Sequence, residues 1–101
     1  MPGKRGRVIS VYTFDRNLSQ GSVGEDVLRL QKFLNHSGFQ VAESGFGSPG
    51  RETVYFGNLT KQALIRYQNF YRREILEPIG LRTGTGYFGP LTRNHINQIG
   101  P

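Results

Sequence analysis

The strongest constraint on this chain is a seven-residue segment that occurs twice. Residues 55–61 read Tyr-Phe-Gly-Asn-Leu-Thr-Lys, and residues 87–93 read Tyr-Phe-Gly-Pro-Leu-Thr-Arg. Five of the seven positions are identical, and the last one exchanges Lys for Arg. Internal repetition is typical of a supersecondary unit that cannot bury its apolar face alone and packs against its copy. The sequence therefore predicts similar turns that lead into similarly packed helices.

A second pair of similar segments interlocks with the first. Residues 30–34 and 67–71 both read apolar, Gln, polar, Phe, apolar. Gln31 and Gln68 lie on or beside apolar helix faces, so we expect each side chain to hydrogen-bond loop backbone from inside the domain.

Hydrophobic periodicity predicts three helices. Val27, Leu30, Gln31 and Leu34 follow the i, i+3, i+4, i+7 spacing of a helix over about 23–37. The segment 22–25, Ser-Val-Gly-Glu, fits a capping box at its start, and Gly38 is placed to end it in the left-handed conformation.

A second apolar stripe predicts a helix over about 58–74, which must end before Pro78. Pro90 suits the first position of a third helix, which Gly100 and Pro101 end. The fold class we predict is all-α: a compact three-helix bundle with an internal pseudo-repeat and long connections, above all over 38–55.

The repeated turn has its own physical logic. Gly57 and Gly89 would permit a sharp bend, and the phenylalanine before each glycine would plug the core. Thr60 and Thr92 are placed to bond free N–H groups of the first helical turn.

Length and charge limit the organisation. With 101 residues the chain has room for one domain, which we place at 18–101, preceded by a basic N-terminal arm over 1–17. The net charge is +6, but without the three basic residues at 4, 5 and 7 it is +3. Basic residues in the rest of the chain are dispersed, which disfavours specific nucleic-acid binding because an electrostatic footprint requires clustering.

Catalytic and metal chemistry find little support. The sequence has no Cys, and its two histidines, His36 and His95, stand far apart without metal-binding spacing. Carboxylates are scattered, so we expect no enzyme, no metal and no cofactor. No stretch approaches the roughly 18 apolar residues of a membrane span, and no export signal follows Met1.

Three motifs in order carry a family resemblance. They are Leu18-x-x-Gly21-Ser22-x-Gly24-x-Asp26-Val27-x-x-Leu30-Gln31-x-x-Leu34, then Phe56-Gly57-x-x-Thr60-x-x-Ala63-Leu64-x-x-Tyr67-Gln68, then Gly86-Tyr87-Phe88-Gly89-Pro90-x-Thr92. Over residues 18–99 the chain resembles the bacterial peptidoglycan-binding domain family, three-helix modules attached to cell-wall hydrolases and other envelope proteins.

The resemblance implies a non-catalytic module that binds peptidoglycan, in the cell envelope or secreted, and anchors a parent hydrolase or envelope protein. Tyr55 and Tyr87 are the leading ligand candidates, since a tyrosine beside a core phenylalanine can stack on a sugar while its hydroxyl stays in water. We expect a shallow groove between the two turns. Core packing is the alternative role for both rings.

Polar residues near the turns complete the candidate site. Asn58, Lys61, Arg66 and Arg93 should face solvent, where a guanidinium can grip carboxylates of the wall peptides bidentately. The alternative for these four is an ordinary solvated helix face.

Two other functions stay open. A structural or protein-interaction module, such as a prodomain or an assembly domain, could use the same fold with the long loop and basic arm. A helical nucleic-acid binder, with the third helix in a groove, is the third candidate.

Overall fold

The computed structural model of the protein describes residues 12–100. Its helices are α1 (Glu25–His36), α2 (Asn58–Phe70), α3 (Arg72–Ile75) and α4 (Pro90–Ile99), with a 3₁₀ turn at Glu77–Ile79. Within this part of the chain there is no β-strand, only two isolated bridges, Leu18 with Phe88 and Val23 with Tyr55. The all-α prediction is confirmed, and the predicted helices are α1, α2 and α4.

The start of α1 differs from the predicted capping box. Gly24 is the N-cap and no side chain caps the helix. The Ser22 hydroxyl instead accepts from the Ser19 N–H at 3.0 Å, and the Ser22 carbonyl accepts from the Phe56 N–H at 2.9 Å. The predicted capping box is therefore wrong. Ser22 lies two residues before the N-cap, and its carbonyl is bonded to Phe56, which is distant in the sequence.

The end of α1 follows the prediction. Gly38 has φ +90, and the Phe39 N–H donates to the Leu34 carbonyl at 2.9 Å. This 6→1 bond closes a Schellman motif, which requires a left-handed residue where only glycine is free of strain.

The second predicted helix, 58–74, is interrupted. At Tyr71 the backbone leaves the helix with ψ 40, and α3 resumes at Arg72. The break directs Ile75 and Leu76 inward, where they are 2% and 1% exposed. The tyrosine ring lies 4.4 Å from the His95 ring, centroid to centroid, so α4 packs against the break.

A single core cluster joins these elements. Its aromatic centre is Tyr67, which is fully buried and contacts Phe33, Phe39 and His95 at centroid distances of 5.6, 5.2 and 5.6 Å. Both predicted plugs, Phe56 and Phe88, are 0% exposed. The rest of the cluster is Phe14, Leu18, Val27, Leu30, Leu34, Val41, Ala63, Leu64, Ile75, Leu76 and Ile96.

Part of the N-terminal arm packs on the domain. Phe14 is 2% exposed, and its N–H and carbonyl both bond the Asn97 side-chain amide at 2.9 Å. The basic residues of the arm at 4, 5 and 7 lie outside the described residues. The boundary between residues 17 and 18 stays a prediction.

Candidate binding site

We call residues 53–60 turn A and residues 85–92 turn B. Turn A is held from below by Gln31 of α1. The Thr53 N–H donates to Gln31 Oε1 at 2.6 Å, while Gln31 Nε2 donates to the Tyr55 carbonyl and to Thr60 Oγ1, both at 2.9 Å. Since Gln31 is 1% exposed, these bonds form out of contact with water and fix the shape of the turn.

Turn B is held in the same way by Gln68 of α2. Its Oε1 accepts from the N–H groups of Thr85 and Gly86 at 2.9 and 3.0 Å. Its Nε2 donates to the Tyr87 carbonyl at 2.8 Å and to Thr92 Oγ1 at 3.1 Å. The expectation that both glutamines bond loop backbone from within is confirmed. The two bond sets match except that Gly86 N–H is a second donor to Gln68 Oε1, whereas Gln31 Nε2 also donates to Thr53 Oγ1 at 3.3 Å.

The repeated threonines have a different role from the predicted one. Neither α2 nor α4 has a side-chain cap. Thr60 and Thr92 are 2% and 3% exposed, and their hydroxyls accept from the buried glutamines. The predicted bonds to first-turn N–H groups are therefore wrong, because the threonine hydroxyls bond the glutamine side-chain amides instead.

Each repeated tyrosine lies on the glycine two positions after it. A Cβ on Gly57 would stand 3.0 Å from Tyr55 Cε2, and one on Gly89 would stand 2.8 Å from Tyr87 Cε2. Both glycines have ordinary negative φ, −99 and −98, so the bend itself does not require glycine. Their missing side chains instead make room for the rings, which remain 53% and 47% exposed.

One short segment joins the two turns. The backbone groups of Leu18 and Phe88 exchange both hydrogen bonds, at 3.0 and 2.8 Å. A few residues later the Gly21 N–H donates to the Phe56 carbonyl at 2.8 Å, and the Phe56 N–H donates to Ser22. Turns A and B therefore have a fixed separation.

A groove of about 250 Å³ lies beside turn A, and we call it groove A. Turn A and Gln31 form one side, and the loop residues Val41, Phe46 and Gly47 form the other. Phe46 is 77% exposed, and the Arg51 guanidinium lies 5.3 Å from its ring centroid. Groove A therefore combines two exposed aromatic rings with a nearby cation.

The loop wall of groove A is fixed by Asn35. Its Nδ2 donates to the Gly47 carbonyl at 3.0 Å and to Glu52 Oε2 at 2.8 Å, and its Oδ1 accepts from the Val41 N–H. Burial acts to raise the pKa of Glu52, but the Asn35 bond and backbone N–H bonds outweigh it and lower that pKa. The charged carboxylate is thus part of the loop structure.

An equivalent groove of about 320 Å³ lies beside turn B, and we call it groove B. Seven lining positions match those of groove A, from Gln68 to Thr92. Its other wall is formed by Ile75, Leu76, Ile79 and Leu81 of the α3 region. This wall is entirely aliphatic, so groove B favours an apolar group such as a methyl or acetyl.

The predicted site residues are distributed over this surface. Tyr55 and Asn58 line groove A, and Tyr87 lines groove B. Asn58 is exposed, and its Oδ1 accepts from Gln62 Nε2 at 3.3 Å. The two tyrosines thus belong to separate grooves of matching construction rather than to one shared groove.

The predicted cations occupy three different places. Arg66 lines a hollow that shares Val41 and Leu59 with groove A, and its Nη2 donates to the Gln40 carbonyl at 2.6 Å. The Lys61 stem crosses to turn B, where a Cβ on Gly86 would stand 2.5 Å from Lys61 Cγ. Arg93, at the equivalent position of α4, donates to Asn17 Oδ1 at 3.0 Å instead.

The sequence predicted the long connections that form the outer walls of both grooves, but no residue within those walls. Phe46 lies in a glycine-rich loop without periodicity, so its sequence context did not mark it as a groove residue. Ile79 and Leu81 are 60% and 37% exposed. Their apolar character in a connection between helices was the only available signal.

Other ionisable groups lie away from the grooves. A hydrogen bond from Arg16 lowers the pKa of Asp26, and the two side chains pair at 2.7 Å at the first turn of α1. Burial lowers the pKa of His95, whose Nδ1 bonds the Tyr67 hydroxyl at 2.7 Å. Over residues 12–100 no group of His, Asp or Glu side chains could hold a metal ion, and none of the helices is long and apolar enough to cross a membrane.

Comparison with protein families matches residues 23–75 to the family described as "Putative peptidoglycan binding domain". The match covers α1, turn A, α2 and α3, and so includes groove A with Tyr55 and Asn58, and also Lys61 and Arg66 of α2. Searches of curated proteins and of solved structures gave no significant match. Because the matched segment covers more than half of the chain and holds one complete turn, this protein belongs to the peptidoglycan-binding domain family.

Proposed function

We propose that this domain binds bacterial cell-wall peptidoglycan without catalysis and anchors an attached enzyme or envelope protein to the wall. Family membership supports the ligand class. The observation that carries the proposal to this chain is the pair of half-exposed tyrosines, each seated on a glycine above a buried glutamine network.

The chemistry of the two grooves suits this polymer. Peptidoglycan offers N-acetylated sugars with apolar C–H faces, and short peptides with methyl groups and carboxylates. Each tyrosine ring packs with one edge against a glycine and is otherwise exposed to solvent. It therefore offers an apolar surface for a sugar, and its hydroxyl can bond water or sugar hydroxyls. Arg51 and Lys61 supply positive charge near groove A and turn B.

The test is co-sedimentation of the purified domain with insoluble sacculi, at low and at physiological salt, beside chitin and cellulose. We expect retention on sacculi at both salt concentrations, and loss of most retention in the double variant Tyr55→Ala/Tyr87→Ala. Phe70→Ala is the matched control, because that ring is 70% exposed and lines neither groove. Retention of the double variant at the wild-type level would reject the tyrosines as the binding site.

A second candidate is a protein-interaction module, and the aliphatic wall of groove B favours it. Ile79 and Leu81 present exposed apolar surface next to Tyr87, which an apolar side chain of a protein partner could fill. Absence of sacculus binding at either salt concentration, together with capture of a defined protein that Leu81→Asp abolishes, would favour this function.

A further inference from the structure

We propose that grooves A and B bind successive units of one peptidoglycan strand, with Lys61 between them receiving a peptide carboxylate. This inference rests on the proposed function and specifies how the ligand is recognised. A domain of this kind distinguishes polymer from isolated wall fragments by length.

The two grooves share an equivalent turn. Each is built from the same turn, with a buried glutamine bonding the tyrosine carbonyl and a threonine hydroxyl. Both rings lie on a glycine with their Cε2 edge, and both are about half exposed. A polymer of repeating units presents the same groups at regular intervals, so two equivalent sites on one rigid body suit two units of one strand.

The two turns are also held at a fixed distance from each other. Leu18 is paired with Phe88 of turn B, and Ser22 is paired with Phe56 of turn A. Four residues span at most about 14 Å, so the Cα atoms of Leu18 and Ser22, which bond the two turns, lie no farther apart than that. Because the connection is backbone pairing rather than a flexible linker, binding in the second groove requires little additional ordering of the protein.

The charge of this surface is complementary to the carboxylates of a wall peptide. Neither groove is lined by a carboxylate. Lys61 belongs to the first turn of α2, where its N–H donates to the Gly57 carbonyl of turn A, while its stem lies against Gly86 of turn B. Among the described residues the ion pairs are Arg16 with Asp26 and Arg29 with Glu25. Within residues 12–100 the Lys61 ammonium therefore has no carboxylate partner, and its stem runs from the start of α2 to turn B.

The experiment compares soluble fragments of defined length by calorimetry: a disaccharide with one stem peptide, and a tetrasaccharide with two. If one strand occupies both grooves, we expect the tetrasaccharide to bind at least about tenfold more tightly than the disaccharide. Tyr55→Ala and Tyr87→Ala should each remove this gain, so that both fragments bind alike. Phe70→Ala should retain it.

Two further variants keep the test independent of folding defects. Gly57→Ala and Gly89→Ala leave every core residue in place and displace only the tyrosine ring, so each should also remove the length gain. Lys61→Gln keeps the stem against Gly86 and should weaken binding of the tetrasaccharide about threefold or more. With amidase-stripped glycan of the same length, that substitution should have no effect.

The outcomes separate this inference from the function on which it rests. A wild-type preference below about threefold for the longer fragment overturns the two-groove inference, since statistical rebinding alone gives that much. A gain that survives either tyrosine substitution also overturns it. In both cases retention on sacculi would leave wall binding intact, whereas failure to bind sacculi and both fragments would overturn the two proposals together.

Discussion

The two halves of the molecule contain the same turn, but the groove wall opposite each turn is different. Turn A is opposed by an ordered glycine-rich loop that carries Phe46 and is fixed by Asn35 and Glu52. Turn B is opposed by the aliphatic residues of the α3 region, among them Ile79 and Leu81. The shared part orients a tyrosine, and the unshared part determines which chemical group can lie beside it.

This division separates structural from recognition roles within one repeat. Buried positions in and beneath the turn, such as Phe56 and Gln31, have equivalents of nearly equal burial in the other half. Exposed wall positions have none. Substitutions at equivalent buried positions should therefore have similar effects on stability, while wall substitutions should alter one groove only.

The largest expected effect is on the core plugs. Phe56→Ala and Phe88→Ala should each lower the free energy of unfolding by about 3–5 kcal/mol, because both rings are fully buried and would leave cavities. Urea unfolding followed by circular dichroism measures both. A difference greater than about 2 kcal/mol between the two variants would contradict the structural equivalence of the halves.

The next effect concerns the buried glutamines. Gln31→Leu and Gln68→Leu should each cost about 1–3 kcal/mol, because buried turn groups lose their partners. Gln68→Leu should cost more, since Gln68 Oε1 accepts from two backbone N–H groups and Gln31 Oε1 from one. Urea unfolding again gives the values, and a larger loss for Gln31→Leu would show that the number of backbone N–H groups bonded to Oε1 does not determine the cost.

Much of the buried framework could be predicted from sequence. The three long helices, the plugs Phe56 and Phe88, the glutamine bonds and the Gly38 terminator all follow from local signals: periodicity, repetition and the conformational freedom of glycine. The bounds of α1 and the start of α4 agree with those predictions within the usual uncertainty of helix ends, whereas the helix predicted over 58–74 is broken at Tyr71.

The failures share a physical cause. Ser22 is not a helix cap because its carbonyl is bonded to Phe56, 34 positions away, and no local pattern reveals such pairing. The break at Tyr71 depends on packing against His95 from α4. The groove walls come from connections without periodicity, so the candidate site could be placed at the turns but its outer half could not.

A smaller effect tests how the tyrosines are held. Gly57→Ala and Gly89→Ala should change the free energy of unfolding by less than about 1 kcal/mol, because alanine tolerates the negative φ at both positions. Each should nevertheless reduce retention on sacculi, since the new methyl displaces the neighbouring ring. Gly89→Ala should act more strongly, because its Cβ would stand 2.8 Å from Tyr87 against 3.0 Å from Tyr55 at Gly57. Unchanged retention in both variants would show that ring position does not matter for binding.

The smallest expected effect separates the two grooves by pH. The pKa of Glu52 lies below its ordinary value despite the opposing effect of burial, so the folded loop favours the charged form. The resulting stabilisation is present above the ordinary carboxyl pKa of about 4.3 and is lost as pH falls through the lowered value. The lining side chains of the groove B wall, including Ile79 and Leu81, are all aliphatic, and Glu77 of the same segment does not line the groove.

Acidification should therefore loosen the wall of groove A while leaving the wall of groove B unchanged. Hydrogen exchange of the amides at 41–52 and 75–81, corrected for intrinsic rates and followed from pH 6 to about pH 3, measures the difference. In Glu52→Gln the part of the pH dependence at 41–52 that comes from the Asn35–Glu52 contact should disappear, because the amide cannot ionise, and Glu43→Gln is the matched control within the same segment. Equal acid sensitivity of both segments would mean that loss of charge elsewhere, such as at Asp26, loosens the whole domain, and that the Asn35–Glu52 contact does not control groove A by itself.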